Sequence, residues 1–320
     1  MSKSWQNFVA RREATSGHEG TGGARDAQGQ LVVGIATMNR PGIVVDTVRA
    51  LARQERLPDL VILSATGPGD LDTSGLENLP FAVEVIFGRA GLTFQRNRMI
   101  ERLQPDDIML LLDDDFLLSP DYMRNLLRLF AAHPDVGVLT GTVLADGIGG
   151  PGFDHAEGEH QLRALGSRPR PDTLTEIYNG YGCNMAFRAR PALEHGIRFD
   201  EALPKYSWLE DVDFSRRLAE HGRVMRAGAL TGVHLGTKTG RSRGVPLGYS
   251  QIANPVYLMS KGTMSAPRAL RIILSNLAAN LLKSLRPEPW VDRPGRLRGN
   301  LLALGDLVRG RIAPDRILNL

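Results

Sequence analysis

Three consecutive carboxylates, Asp113–Asp115, are the residues of this 320-residue chain whose type and spacing most directly indicate chemistry. They follow the apolar run Ile108–Leu112, which has no polar face and therefore predicts a strand buried on both sides in an α/β sheet. In such sheets ligands bind at the carboxyl ends of strands. Adjacent carboxylates repel one another unless a cation or hydrogen-bond donors neutralise them, and oxygen-only ligands suit Mg²⁺ or Mn²⁺. The stretch therefore predicts a metal and phosphate site.

The alternative is that one aspartate caps the next helix while the others are solvated. A helix is predicted over Asp121–Ala132, and Ser119 and Pro120 already supply an N-cap and a first-turn proline for it. Capping therefore does not require the three aspartates, and the metal interpretation is preferred.

A second acidic group, formed by Glu210, Asp211 and Asp213, lies at the start of a helix predicted over Ser207–His221. One explanation is structural, because acids complement the dipole at a helix N-terminus and contribute up to ~1 kcal/mol there. Asp213 is placed to pair with Arg217 one turn later, and we assign it this structural role.

Strands that alternate with helices predict a sheet with helices on both faces. Beyond the acidic strand, strands are predicted at Leu31–Ala36, Leu60–Leu63, Ala82–Phe87, Val136–Leu144 and Arg223–Ala227, as a strand pair within Thr175–Ala189, and in a stretch leading to His234. Helices are predicted over Ile43–Arg53 and Thr93–Arg102.

Three stretches lack any periodicity. Residues 1–29 are polar and Gly-rich, which predicts a flexible N-terminal segment. Ala145–Thr173 is rich in Gly, Pro and His and is interpreted as a mobile flap near a pocket. Gly236–Gly248 is predicted to be a basic, Gly-rich loop.

The composition is that of an ordinary globular protein, with 42% hydrophobic and 23% charged residues. A single cysteine, Cys183, excludes an intramolecular disulfide and a Cys-rich zinc site, and suits a reducing cytosol. The N-terminus has no apolar core typical of a secretory signal, and no run approaches the ~18 apolar residues of a membrane span. The sequence predicts a cytoplasmic protein.

Basic residues are concentrated at the C-terminus. From Lys261 onward there are eleven Lys/Arg and four Asp/Glu, an excess of +7 within a total of +4, so the first 260 residues carry −3. A helix predicted from Ser265 to Leu285 is amphipathic, and a second helix is predicted over Leu297–Val308 after a Pro-rich break. These helices would pack on the body or on a second subunit, or bind peripherally to an anionic membrane. No nucleic-acid-binding signature is present.

Taken in order, these pieces resemble the inverting glycosyltransferases of family 2, which have the glycosyltransferase A (GT-A) fold. The matching stretches are Thr37–Arg40, Gly91–Asn97, Leu112–Asp115 and Trp208–Asp211. The resemblance implies an α/β catalytic domain over about residues 30–240, with a mixed central sheet flanked by helices. Residues 241–320 would then be a basic loop and a helical C-terminal extension.

The resemblance also implies where a nucleotide-sugar donor binds. Residues implied on the donor are Thr37, Asn39, Arg40, Ser64, Gly91, Arg96, Asp113 and Asp114, with Asp114 on the ribose. The ligands of a Mn²⁺ or Mg²⁺ ion that bridges the diphosphate are implied at Asp115 and His234. The alternative for His234 is a buried histidine satisfied by the protein, because imidazole suits a hard cation less well than oxygen does.

By the same resemblance, Asp211 is the catalytic base and Asn184, Trp208 and Glu210 lie on the acceptor side. Inverting transfer is a single displacement in which an acceptor hydroxyl attacks the anomeric carbon from the face opposite the departing nucleoside diphosphate. A cation stabilises the leaving group and a carboxylate takes the acceptor's proton. Two separated acidic clusters suit these two roles, one to bind the cation and the other to supply the base. Trp208 could stack on an acceptor sugar or belong to the core.

The chain departs from the family pattern in three places. Ser64–Thr66 stands where the family usually has an acid that reads the base, so UDP, dTDP and GDP sugars all stay open. The Gln-x-x-Arg-Trp motif of processive synthases is absent, which favours addition of a single sugar. A Gly-Gly-x-Gly-Thr phosphate loop is also absent, which argues against a sugar-nucleotide pyrophosphorylase.

The leading hypothesis is therefore metal-dependent, inverting, non-processive transfer of a sugar to a hydroxyl of a glycan or lipid-linked glycan. The alternatives are a nucleotidyltransferase that acts on sugar phosphates and a degenerate, non-catalytic module that binds a glycan or a partner. Expected partners are the donor, the acceptor and, through the C-terminal helices, the inner face of the cytoplasmic membrane or a second copy of the chain.

Overall fold

The computed structural model of the chain describes residues 29–166, 170–239 and 244–320. The predicted flexible segment 1–29 lies outside these residues except for Gly29, and so does part of the predicted loop Gly236–Gly248. Within the described residues, nine strands form one mixed sheet, and nine α-helices accompany it.

The strands are β1 (Leu31–Ala36), β2 (Leu60–Ala65), β3 (Ala82–Phe87), β4 (Ile108–Asp113), β5 (Phe116–Leu118), β6 (Val136–Asp146), β7 (Leu174–Glu176), β8 (Asn184–Arg188) and β9 (Arg223–His234). The helices are α1 (Pro41–Leu51), α2 (Leu92–Ile100), α3 (Tyr122–Ala132), α4 (His155–Gly166), α5 (Ala189–Glu194), α6 (Glu210–Leu218), α7 (Gly244–Lys261), α8 (Ala266–Lys283) and α9 (Arg293–Val308).

The sheet has two halves that differ in strand direction. Its order is β3-β2-β1-β4-β8-β6-β9-β5, with β7 paired to β9. The first four strands are parallel, as predicted from the alternating pattern. From β8 onward, antiparallel pairs alternate with the parallel pair β6–β9, which makes the sheet mixed, as the resemblance implied. The two predicted strands at 223–227 and before His234 are one continuous strand, β9.

Successive residues of the acidic strand β4 pack into two different cores, which confirms that it is buried on both sides. Leu110 and Leu112 belong to the core beneath α1 and α3, whereas Met109 and Leu111 belong to the core beneath α2 and α6. The strand's carboxyl end therefore emerges from a fixed position between two layers of helices.

The predicted flap Ala145–Thr173 is instead largely ordered and contains α4. A side chain in place of Gly158 would lie 2.1 Å from Leu235 and 3.1 Å from Leu117. The glycine that suggested a loop thus allows α4 to lie close against the sheet, which is why the helix was missed. The predicted position near a pocket is confirmed, because residues 151–155 line a cavity.

The prediction that Ser119 and Pro120 form the N-cap and the first turn of α3 was wrong. The helix begins at Tyr122, after Asp121, and neither this residue nor Ser119 caps it with a side chain. The Ser119 amide donates to Thr231 of β9, so Ser119 still extends the sheet and is not available to start a helix.

The C-terminal region is helical, as the spacing of its apolar residues predicted, but it contains a helix that the sequence did not reveal. The predicted loop Gly236–Gly248 gives way at Gly244 to α7, which accommodates Pro255 within its length. Helices α8 and α9 occupy nearly the predicted positions. Among the described residues, none of the helices combines the length and apolar character that crossing a membrane requires.

Candidate active site

The carboxyl ends of β1 and β4 meet at one edge of the sheet, where the register pairs Ala36 with Asp113. The next residues are consequently neighbours, and the Thr37 hydroxyl donates to Asp114 Oδ2 over 2.8 Å. Arg40 Nη1 donates to Asp114 Oδ1 over 2.7 Å. Burial raises the pKa of Asp114 to about 6, although the Arg40 charge opposes this. The middle acid therefore holds the β1 end and the Arg40 guanidinium together.

The two outer acids meet a histidine from the other half of the sheet. Asp113, Asp115 and His234 each direct one ligand atom to a common point, with these atoms within 4.8 Å of one another. His234 Nε2 lies 3.3 Å from Asp115 Oδ1 and 3.8 Å from Asp113 Oδ2. This geometry follows from register, because β5 and β9 pair Phe116 with His234. Asp113, implied on the donor, thus joins the metal-type cluster.

A further carboxylate, which sequence reasoning missed, orients the histidine. The β6–β9 register places Asp146 opposite His234, and His234 Nδ1 lies 2.9 Å from Asp146 Oδ1. The Tyr181 hydroxyl donates to the other oxygen of Asp146 over 3.1 Å. A carboxylate on one imidazole nitrogen leaves the other nitrogen directed at a metal, which is the usual arrangement behind a ligating histidine.

The pKa shifts of His234 and Asp115 show that this cluster favours a positive charge beside its carboxylates. Burial lowers the pKa of His234, but its hydrogen bonds to Asp115 and Asp146 outweigh burial and raise that pKa to about 10. Burial would raise the pKa of Asp115, yet its bond to His234 holds it well below its usual range. Two carboxylate oxygens and one imidazole nitrogen are a donor set that Mn²⁺ and related divalent ions accept. The residues therefore fit a divalent cation.

The segment after β9 closes over this cluster. Thr237 donates to Asp115 Oδ2 through both its amide and its hydroxyl, each over 2.8 Å. Arg40 Nε donates to the Thr239 carbonyl over 2.8 Å. A cavity of about 400 Å³ adjoins the same segment and is lined by residues of α1, the 151–155 turn and Thr237. No spacing in the sequence indicated that Thr237 would reach the aspartates.

A buried arginine joins the two acidic clusters. Arg96, 2% exposed, donates from Nη1 to Glu210 Oε1 over 2.6 Å. Its Nη2 lies 3.4 Å from Asp113 Oδ1 and donates to the Gly182 carbonyl over 2.8 Å. A Cβ at Gly182 would lie 3.1 Å from both Arg96 and Glu210, so glycine allows this close approach. Arg96 thus faces protein groups at both ends of its guanidinium, whereas the resemblance implied a place on the donor.

Asp211 lies at the start of α6, beside this bridge. Its Oδ2 accepts from the Gly182 amide over 3.1 Å, and its Oδ1 accepts from the Val212 amide over 2.8 Å. Burial raises the pKa of Asp211, and burial together with the charge of Asp211 raises that of Glu210. A carboxylate whose pKa is raised toward neutrality is a better proton acceptor for a hydroxyl than an ordinary aspartate is.

The loop that leads into α6 is conformationally strained. Lys205, Ser207 and Leu209 have φ values of 59°, 55° and 75°, which place three non-glycine residues in the left-handed region. Such conformations cost about 1–3 kcal/mol each and persist only where the surrounding structure enforces them. The three residues lie directly before Glu210 and Asp211. The surrounding structure that enforces their strained conformation therefore also positions these two acids at the start of α6.

On the donor side, the structure shows that one predicted residue is inaccessible and reveals another. Ser64 is fully buried, and its hydroxyl accepts from Arg98, so its side chain presents no surface to a donor. Asp70, which was not predicted, accepts from the Asn39 amide at 2.7 Å and from the Thr66 amide and hydroxyl. It holds the ends of β1 and β2 in place around the expected nucleotide position.

Two other predicted donor residues lie at turns beside that position. Asn39 is exposed and adopts a left-handed conformation with φ of 58°. Gly91 precedes α2 with φ of 130°, a conformation that side chains disfavour, and a Cβ there would lie 2.9 Å from Phe94. Asn39 is therefore exposed at the sheet edge, whereas Gly91 is buried there and its carbonyl accepts from the Gln95 amide.

The predicted acceptor-side residues differ in accessibility. Asn184 is fully buried in β8 and accepts from Thr140, so its predicted contact with an acceptor is not supported by its position. Trp208 is half-buried, and its carbonyl accepts from Asn254 of α7. The Trp208 backbone is therefore tied to the C-terminal helices two residues before Glu210.

Asp213 has the structural role that the sequence suggested, but mainly with other partners. It is fully buried and accepts from Lys261 Nζ and Thr263 Oγ1, each over 2.8 Å. The predicted partner Arg217 lies at 4.0 Å. Asp213 therefore ties the helix of the acidic pair to the C-terminal region.

Comparisons with known proteins agree with this geometry. A family model described as Glycosyltransferase like family 2 matches residues 28–227. A glucosyl-dolichyl phosphate glucuronosyltransferase of Haloferax volcanii is 27% identical over 106 residues, which span 33% of this chain and 34% of that protein. The match thus covers only about a third of that relative.

Solved structures share the fold at low sequence identity. TarS 1-349 of S. aureus superposes with a TM-score of 0.56 at 14% identity, covering 90% of this chain and 82% of that chain. The mannosyltransferase PcManGT of Pyrobaculum calidifontis, in complex with GDP-Man and Mn²⁺, gives 0.50 at 15% identity, covering 98% and 85%. Both belong with the GT-A glycosyltransferases.

Proposed function

Because this chain belongs to glycosyltransferase family 2, we propose that it transfers a sugar from a nucleotide-diphosphate sugar to an acceptor hydroxyl, with inversion at the anomeric carbon. The acceptor is a glycan or a lipid-linked glycan, and one sugar is added in each encounter. We also propose that the protein acts in the cytoplasm, as its sequence predicts.

Asp113, Asp115 and His234 would hold a Mn²⁺ or Mg²⁺ ion, whose positive charge, when bound, supports departure of the nucleoside diphosphate. Asp146 orients His234 from behind. Thr237 and Arg40 fix the Asp115 and Asp114 carboxylates, so the site presents its charges in one arrangement before any ligand arrives. Such preorganisation is the main source of electrostatic catalysis.

Asp211 is proposed as the base. Its carboxylate takes the proton of the acceptor hydroxyl as that oxygen attacks the anomeric carbon, while the bond from that carbon to the diphosphate oxygen breaks. Inversion requires the base and the leaving group to lie on opposite sides of the sugar. The observation that carries the proposal is the Arg96 guanidinium, which contacts Asp113 on the metal side and Glu210, beside Asp211, on the other. The two acidic clusters are therefore neighbours joined by one side chain, which supports their acting on the same substrate pair.

Donor recognition is proposed for Thr37, Asn39, Arg40, Gly91 and Asp114, which surround the ends of β1 and α2, with Asp70 supporting them. Solved neighbours bind GDP-Man in one case and UDP-GlcNAc in another, so uridine and guanosine donors are both represented in this fold. Trp208 is proposed to contact the acceptor. The name of the Haloferax relative includes a dolichyl phosphate, which supports a lipid-linked acceptor.

A panel of UDP, dTDP and GDP sugars with Mn²⁺ tests the proposal, with release of nucleoside diphosphate as the readout. Asp211→Asn should lower kcat by about 10²–10⁴-fold, because the base is removed. Asp115→Asn should abolish metal-dependent donor binding in calorimetry as well as transfer. Asp135→Asn, at an exposed acid just before the start of β6, is the control and should match the wild type.

Two results would reject the proposal. Full activity in both site variants would show that neither cluster acts in transfer. Consumption of nucleoside triphosphate with release of pyrophosphate would indicate a nucleotidyltransferase instead, and the absence of any metal-dependent nucleotide binding would indicate a non-catalytic module.

A further inference from the structure

The outward face of α8 is apolar. Leu270, Leu274, Leu281 and Leu285, the last just beyond the end of the helix, are 55%, 53%, 56% and 83% exposed, and their spacings of four, seven and four residues place them in one row. Leu282, at 68%, widens the row. A helix at a water-facing surface normally exposes its polar side, so an orientation that leaves these leucines outward is unusual.

The inward face of α8 explains that orientation. Asn280 is fully buried and donates to Gln251 of α7 and to Asn300 of α9, over 2.7 and 2.8 Å. Asn276 accepts from the same Gln251 over 2.8 Å. Rotating the leucines inward would strip these amides of their partners, and an unpaired buried polar group costs ~1–3 kcal/mol. The amide cluster therefore fixes the leucines on the outside.

The exposed apolar surface is concentrated in this region of the molecule. Of the 17 exposed large hydrophobic side chains among the described residues, 12 lie between Met259 and Leu318. Helix α9 adds Leu301 at 60% and Val308 at 89%. A concentration of this kind marks an interaction surface, whereas exposed apolar residues scattered singly need no explanation.

Exposed arginines flank the leucine row along the chain, and another lies on α9. Arg271 follows its first leucine and Arg286 its last, and Arg298 lies on the exposed side of α9. None of the three forms an ion pair with an acid in the described parts of the chain. An apolar face bordered by arginines is the composition of helices that lie in a membrane interface.

We propose that this face, which we call the leucine face (Leu270, Leu274, Leu281, Leu282 and Leu285), docks on the surface of an anionic lipid bilayer. The charge selects this occupant over a second copy of the chain. Residues 261–320 carry an excess of +7, so two such surfaces repel each other, whereas anionic headgroups attract each of them.

The docking surface lies next to the acceptor side of the site. The inner side of α8 packs Ala269 and Ile272 into the same small core as Val212, the residue after Asp211. If the proposed transfer is correct, binding through the leucine face holds the acceptor side close to a lipid-linked hydroxyl. Only this last step rests on the proposed function, and bilayer docking stands without it.

Co-sedimentation of the full chain with vesicles tests the docking, without any sugar donor. Vesicles of phosphatidylcholine with phosphatidylglycerol should bind the chain, and vesicles of phosphatidylcholine alone should bind it much less. Leu274→Gln with Leu281→Gln should weaken binding roughly 100-fold, because two buried leucines are lost. Arg271→Gln with Arg286→Gln should weaken it roughly 10- to 30-fold.

Matched variants on the body control for general changes in surface character. Phe87→Gln removes an exposed apolar side chain from the edge of the sheet, and Arg102→Gln with Arg190→Gln removes two exposed charges. Both should bind vesicles as the wild type does. Asp115→Asn should also bind normally while losing transfer, which separates failure of the docking from failure of the proposed function.

Three outcomes would overturn the docking. These are equal binding to neutral and anionic vesicles, no binding to either, and a dimer in light scattering that the paired leucine substitutions disrupt. The last would make a second copy the occupant.

Discussion

The proposed metal side and the proposed acceptor side of the site differ in what holds their residues in place. On the metal side, Asp113 ends β4, Asp146 ends β6 and His234 ends β9, so strand register sets their relative positions. On the acceptor side, Asp211 begins a helix after the strained loop 205–209, and that helix packs against the C-terminal region. Hydrogen bonds between strands fix the residues of the metal side, whereas side-chain contacts and packing fix those of the acceptor side.

This difference suggests how the two tasks of the enzyme are divided. Holding a cation and a diphosphate needs the same geometry for any sugar, and a hydrogen-bonded sheet provides it. Selecting an acceptor needs a surface that varies, and a loop braced by an extension outside the matched family region can vary without disturbing the sheet. We therefore expect changes on the two sides to have separable effects.

Arg96→Met tests the connection between the two sides and should have the largest effect on stability. Removing the guanidinium leaves Glu210 buried without its cation, and breaking a buried ion pair costs about 3–5 kcal/mol. Urea denaturation measures the loss. Arg102→Met is the control, since Arg102 is exposed and its ion pair with Glu84 should contribute at most about 1 kcal/mol. Equal losses in both variants would show that Arg96 is not the link.

Asp146→Asn tests whether the sheet positions a metal ligand. The variant should weaken Mn²⁺ binding by about 10–100-fold, because the partner that orients the His234 imidazole loses its charge. Calorimetric titration with Mn²⁺ alone gives this readout without turnover. An unchanged affinity would mean that His234 does not ligate the ion. Asp135→Asn, near the start of the same strand, should leave the affinity unchanged.

The metal side was also the more predictable from sequence. An apolar run that ends in acids defines both a strand and the position of its side chains, so Asp113–Asp115 could be placed at the sheet edge. Asp146 and Thr237 could not, because their distance from the aspartates depends on the pairing of β6 with β9 and on the turn after β9. Pairing between distant strands leaves no periodic signal in a single sequence.

The acceptor side and the C-terminal region were less predictable for a different reason. Gly244 and Pro255 argue against a helix locally, yet α7 forms because its buried side packs on α9 around Tyr249. Periodicity located α8 but not its orientation, which depends on buried amides contributed by α7 and α9. Tertiary contacts overrode local propensity in both cases.

Glu210→Gln tests the proposed base on the acceptor side through the pH dependence of kcat/KM. A base must be ionised, so the rate should fall as pH decreases through the pKa of Asp211, which burial raises. Replacing the neighbouring carboxylate by an amide removes a negative charge and takes from Arg96 the nearer of its two carboxylate partners. Both changes favour ionised Asp211, so the acidic limb of kcat/KM against pH should move to lower pH. A limb that stays in place would point to another base.

The smallest expected effect concerns the strain in the loop, and it can be isolated at Lys205, whose φ is 59°. Lys205→Ala and Lys205→Gly both remove the bond from Nζ to the Ile317 carbonyl, but only glycine relieves the left-handed strain. The glycine variant should therefore be the more stable of the two by about 1 kcal/mol in urea denaturation. At Glu101, which is right-handed with φ of −63°, the order should reverse, because glycine there only adds unfolded-state entropy. The same order at both positions would mean that the loop before Asp211 is not held under strain.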